Sequence, residues 1–102
     1  MIADGRQVAV TIHRLKNLEE NAENFTIDVQ VYENGKLDFD NVLTTNYKKL
    51  RRVYESIKYE QPCDAVNEII NGWVEIEFNK GNCIRLKQRE IWEVLAKCRQ
   101  KV

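Results

Sequence analysis

The sequence holds one histidine, one proline, four glycines and three cysteines. With His13 the only imidazole, and with Cys63, Cys83 and Cys98 far apart and no CxxC pair, neither a zinc site nor a disulfide framework is signalled. There is no Ser, His and Asp spacing for nucleophilic catalysis, no P-loop and no Gly-rich phosphate turn. No apolar run exceeds four residues, which argues against a membrane-spanning helix, and Met1 to Gly5 lacks a signal-peptide core. The scarcity of proline and glycine, beside a hydrophobic content of 43%, argues against disorder. Together these absences predict a reduced, cytoplasmic, non-enzymatic chain without catalytic residues, metal, cofactor or membrane partner. One thiol has a case for reactivity. Pro62 fits the first position of a helix, which would set Cys63 in the favourable field of a helix N-terminus, although a small apolar residue in a first turn is the simpler reading.

At 102 residues the chain is expected to form one domain, residues 1–102, with one modest core. Val8, Val10 and Ile12 alternate with Ala9, Thr11 and His13, the period of a strand with one buried face, which turns His13 outward. Lys16 to Asn24, rich in Asn and Glu, reads as a surface connection. Phe25, Ile27, Val29 and Val31 give the clearest alternation. A two-residue Asn34-Gly35 turn after this strand would set Val31 against Asp38 and Val29 against Asp40. A three-residue loop from Glu33 to Gly35 pairs Val31 with Leu37 and Val29 with Phe39, so the longer loop is expected. In a second hairpin, a three-residue loop from Asn79 to Gly81 pairs Ile76 with Ile84, Val74 with Leu86 and Glu75 with Arg85. The glycines of the two turns align only by placing inward Val31 on outward Glu77, which argues against an internal repeat.

Tyr47, Leu50, Val53, Tyr54 and Ile57 recur at helical spacing, with Thr44, Thr45 or Asn46 as cap. A second helix is expected from Pro62, with Ala65, Val66, Ile69 and Ile70 as its stripe and Asn71-Gly72 as its stop. A last helix runs from about Lys87 to Lys101 on Ile91, Leu95 and Cys98, widened by Trp92 and Val94. The predicted fold is a two-layer α+β domain of order β-β-β-α-α-β-β-α. Its helices pack on the Val8, Ile27, Val29, Phe39, Ile76 and Ile84 side of an antiparallel sheet made of two hairpins. The sequence leaves open how the second hairpin joins the first.

The 16 bases and 16 acids sum to zero but are segregated. Residues 1–44 carry eight acids against four bases, a net charge of −4, and residues 45–102 carry twelve bases against eight acids, a net charge of +4. Asp28, Tyr32, Asp38 and Asp40 are expected on the outer face of the first hairpin, and Trp73, Glu75 and Glu77 on that of the second. If the hairpins share a sheet, these residues make an acidic, aromatic-studded surface suited to a basic partner. An ordinary solvated sheet face is the plainer account. Lys48, Lys49, Arg51 and Arg52, with bases of the last helix, are candidates for phosphate contacts. They also read simply as the wet side of an amphipathic helix. The expectation is a small interaction domain, an inhibitor or immunity-type protein that blocks a surface of another protein or protein–nucleic acid complex. A mobile-element-encoded antagonist of a host nuclease or defence complex would act in this way. The alternative is direct nucleic-acid binding through helix 45–58 and the C-terminal helix. Tyr32, Tyr59, Trp73 and Trp92 are not all assigned to the core, and a cluster of them left exposed would serve as a dimer or partner site.

Overall fold

A computed structural model describes residues 5–13 and 26–100. Lys16 to Asn24 and Phe25, read above as a surface connection and as part of the second strand, lie outside them. The chain runs β1 (Arg6–His13), β2 (Thr26–Glu33), β3 (Lys36–Asn46), α1 (Tyr47–Lys58), β4 (Val66–Ile70), β5 (Trp73–Asn79), β6 (Asn82–Lys87) and α2 (Gln88–Gln100). The strands form two antiparallel sheets, β1-β2-β3 and β4-β5-β6. The protein is thus of mixed α+β class, with antiparallel sheets and two helices.

The expected helix from Pro62 is not formed. Its second half is β4, and residues 61–65 are a connection in which Val66 N–H bonds to Cys63 O. The apolar spacing Val66, Ile69, Ile70 is too short to distinguish the two periods, and three β-branched residues in five favour the strand. Asn71-Gly72, read as a helix stop, is a two-residue turn with both residues left-handed (φ 51° and 82°), the geometry that joins tightly paired strands. With no helix after Pro62, the dipole argument for Cys63 falls away.

The first hairpin also corrects the expectation. Asn34 and Gly35 are both left-handed (φ 52° and 83°), so the turn has two residues and Glu33 pairs with Lys36. Val31 does face Asp38. The conflict is resolved downstream, where Phe39, Asp40 and Asn41 leave the ladder as a bulge, after which Gln30 pairs with Val42 and Val29 with Leu43. Phe39, assigned above to the inner row, is 80% exposed on that bulge. The second hairpin keeps its expected pairs along the strands, Ile76 opposite Ile84, Val74 opposite Leu86 and Glu75 opposite Arg85, but not the expected three-residue loop: Asn79 pairs with Asn82, and the register shifts at Phe78.

The inner rows of both sheets and one face of each helix meet in one core. Ile27, Val29, Val31 and Leu43 come from one sheet, Val74, Ile76, Ile84 and Leu86 from the other, and Leu50, Val53, Ile91, Val94, Leu95 and Cys98 from the helices. Asn46 caps α1, its side chain accepting from Lys49 N–H at 2.8 Å. Trp92, expected to widen the stripe of α2, is 44% exposed and lies against Tyr54 and the guanidinium of Arg99.

The order βββα occurs twice, and β3 lies beside β6. No backbone ladder joins them. Instead Asn41 Oδ1 accepts from Arg85 N–H at 2.8 Å, and Asn82 Oδ1 accepts from Thr44 N–H at 3.2 Å. Asn41 and Asn82, Leu43 and Ile84, Leu50 and Ile91, and Val53 and Val94 each stand 41 residues apart and occupy matching places in the two halves. Aligning the turn glycines hid this correspondence. Three residues leave the ladder in β3 and one, Phe78, in β5, so aligning the turns sets β2 one residue off against β5 and exchanges the two faces of a strand.

Candidate interaction surfaces

The outer face of β1-β2-β3 carries Asp28 and Tyr32. Asp28 accepts from Thr44 Oγ1–H at 2.7 Å and lies 2.6 Å from His13 Nε2. Tyr32 is half-buried opposite Leu37. Asp38 and Asp40 belong to the bulge region. Asp38 accepts from the Asn41 amide at 2.8 Å and from Asp40 N–H at 3.0 Å. The Asn41 bond above all, then the backbone bond, hold its carboxyl below the ordinary carboxylate value, with the charge of Arg6 adding a smaller effect. Asp40 is exposed.

On the outer face of the second sheet, Glu75 accepts from Arg85 Nε at 3.1 Å and from the Asn67 amide at 3.2 Å. Glu77 accepts from the Asn67 amide at 2.9 Å and from Gly81 N–H at 3.2 Å. The first of these bonds chiefly, then the second, lower the Glu77 pKa. Trp73 lies under two cations, Arg6 at 4.8 Å and Lys87 at 5.1 Å from the ring centre. The acidic residues singled out in the sequence are therefore interleaved with bases and amides, and the face is polar and mixed in charge.

Both lowered carboxylates fix the sign of one pH effect. An ionised form favoured in the folded chain contributes stability above the unfolded pKa, and that contribution is lost as pH falls through the folded pKa. Acid titration is therefore expected to release the Asn41 and Asn67 side-chain amides in the range below the ordinary carboxylate pKa. The bulge and the β5–β6 turn should loosen with them. Amide resonances followed by NMR check this, and midpoints at or above the ordinary carboxylate value would contradict it.

Cys83 lies half-buried on β6, opposite Glu77. Burial first, and then the negative charges of Glu75 and Glu77, push its thiol up against the opposing charge of Arg85, which disfavours the thiolate.

Two hollows bring functional candidates together. The first, about 380 Å³, lies on the outer face of the second sheet and is lined by Trp73, Glu75, Arg85, Arg6, Glu68 and Ile70 among others. Only Trp73 and Glu75 among these were identified from sequence. Glu68 and Ile70 were hidden by the reading of β4 as a helix. The signal that could have found them is the Asn-Gly pair between two branched apolar residues and Trp73-Val74. Arg6 is positioned by β1, where its guanidinium donates to Glu90 at 2.9 and 3.3 Å and to Arg85 O at 2.6 Å.

The second hollow, about 680 Å³, lies between α1, residues 61–65 and the end of β5. It gathers all four bases proposed for phosphate contact, Lys48, Lys49, Arg51 and Arg52. Lys49 Nζ stands 5.8 Å from the Phe78 ring centre, and Arg51 is engaged with Glu55 at 3.2 Å. Glu55, Asp64 and Glu77 line the same groove, so its walls carry both signs of charge. No group of three or more His, Cys, Asp or Glu side chains with metal-binding geometry occurs among the described residues, and no described helix is long and apolar enough to cross a membrane.

Compared with family models, curated proteins and solved structures, the chain matches none of them, so function is argued from these surfaces alone.

Proposed function

We propose that the protein is a small non-enzymatic interaction domain of the inhibitor or immunity type, which acts by covering a surface of another protein. The observation that carries this reading is the hollow around Trp73. An aromatic ring, paired carboxylates and the half-exposed Ile70 converge there at a sheet edge that pairs with no other strand among the described residues. Aromatic anchors rimmed by charge are the usual composition of a protein contact, and a face that mixes both signs suits a polypeptide better than a uniformly charged polymer.

A second reading, nucleic-acid binding, is favoured by the gathering of Lys48, Lys49, Arg51 and Arg52 in one groove. The carboxylates in that groove oppose it, because Glu55, Asp64 and Glu77 would meet the same phosphates. One experiment separates the two. The full chain, a Trp73→Ala/Glu75→Ser variant and a Lys48→Ala/Lys49→Ala/Arg52→Ala variant are compared for protein capture by mass spectrometry and for mobility shift of single-stranded and duplex nucleic acid. The expected result is capture lost in the first variant and kept in the second, with no mobility shift at low salt. A shift that disappears in the second variant and steepens with falling salt would replace the first reading by the second.

A further inference from the structure

Resting on the outer sheet face as a protein-docking surface, we propose that β4 accepts an extended strand of the partner. The strand is added antiparallel to the open edge of β4, with a lysine or arginine set against Glu68. Among the described residues, β4 pairs only with β5. Ile70 and Trp73 close the two-residue turn and exchange both backbone bonds. One step along, the N–H and C=O of Ile69 therefore point away from β5. Edge strands of soluble proteins are normally guarded by lysine, proline, a bulge or a covering element. In β4 the bulge lies at Asn67, which leaves Glu68, Ile69 and Ile70 in regular pairing with β5. The strand Val66–Ile70 has no lysine or proline, and Ile69 and Ile70 are 54% and 53% exposed.

The residues on either face specify what the added strand must carry. Ile69 stands opposite buried Val74 on the inner side, so a branched apolar residue beside it would extend the inner row by one strand. On the outer side Glu68 lies directly across from Glu75, a like-charge pair. Glu75 is held by Arg85 and Asn67, whereas Glu68 is exposed and in no ion pair among the described residues, Arg6 and Arg85 of the same hollow being engaged by Glu90 and Glu75. The position on the far side of Glu68 is therefore the place for a positive charge. Its aliphatic stem would lie toward Ile70 and the Trp73 hollow. Read along an antiparallel strand, the recognised sequence is an apolar residue, a β-branched residue and a lysine or arginine, facing Ile70, Ile69 and Glu68 in turn. A second copy of the chain meets these demands less well. Two-fold pairing of β4 keeps like faces together and sets Glu68 against its own counterpart or against Ile70, with no cation in either register.

The probes are two short fluorescein-labelled peptides. One carries isoleucine, valine and lysine at the three central positions, and the other has glutamate in place of the lysine. Titrated into the full chain and followed by NMR, the lysine peptide is expected to shift the amides of residues 66–70 and to slow hydrogen exchange at Ile69. It should bind about tenfold more tightly than the glutamate peptide. Glu68→Lys, an exposed substitution that leaves the fold intact, should reverse that preference. Ile69→Pro, which removes only an outward N–H, should abolish the shifts while circular dichroism stays unchanged. Strand addition is overturned if neither peptide moves the β4 amides, if Glu68→Lys leaves the preference unchanged, or if β4 is already occupied in a dimer of the free chain. Should Ile69→Pro bind as well as the parent while Trp73→Ala does not, docking on the outer face stands and strand addition falls.

Discussion

Replacing Arg6 by alanine is expected to lower stability by about 2–4 kcal/mol, the larger of the polar effects in this molecule. The side chain is only 9% exposed and the Glu90 carboxylate it grips is 15% exposed. Removal would leave that carboxylate deprived of its cation in a largely dry site, which costs more than the pair itself contributes. The same guanidinium reaches Glu33 at 3.6 Å, donates to Arg85 O and lies over Trp73, so one substitution loosens β1, β6, the start of α2 and the docking hollow together. For a domain of this size the loss corresponds to a fall in melting temperature of roughly 10–25 °C. Thermal and urea unfolding monitored by circular dichroism measure it. Arg6→Lys should recover less than half, because a single ammonium cannot serve the carboxylate, the carbonyl and the ring from one planar fork. A loss under about 1 kcal/mol would show that the contacts of Arg6 are exchangeable with water.

The second large effect lies in the core. Leu50 on α1 is fully buried in the cluster that joins both sheets and both helices. Leu50→Ala should cost about 2–5 kcal/mol, the lost transfer energy of the side chain plus the cavity left where neighbours cannot follow. Set against a typical domain stability of about 5–15 kcal/mol, that is enough to bring the chain near unfolding at physiological temperature. Its matching residue Ile91, shortened to valine, should lose only about 0.5–1.5 kcal/mol, since one methylene is removed. Urea midpoints of the two variants, with unchanged denaturant slopes, are the measurement. Equal losses at the two positions would contradict a core packed evenly across the halves.

How far these positions were legible beforehand follows from the physics of each signal. The β5–β6 register was legible because two independent constraints coincided, a left-handed glycine at Gly81 and the Glu75–Arg85 charge pair. The β2–β3 turn was not. Its sequence favoured two residues and its hydrophobic pattern favoured three, and a bulge satisfies both, which no pairwise register comparison can reveal. For β4, three apolar residues at spacings of three and one fit a helix and a strand alike, and Asn-Gly ends a helix as readily as it turns a hairpin. The site shared that fate. Trp73 and Glu75 were found with their strand. Glu68 and Ile70 were lost with theirs, and Arg6 gave no local signal because everything it holds is distant in the chain.

The join between β3 and β6 has a consequence for how the protein can change over generations. A backbone ladder uses groups that every residue possesses, so it survives almost any substitution along it. Here the two halves are stitched by the amide side chains of Asn41 and Asn82, and the stitch is spelled by two codons. Loss of Asn82 would remove its part of the joint and leave the ladders of both sheets in place, whereas loss of Asn41 would also release Asp38 and the β3 bulge. The joint between the two sheets is therefore more exposed to substitution than the ladders within them, while the shared core and the contacts of Arg6 hold the halves together.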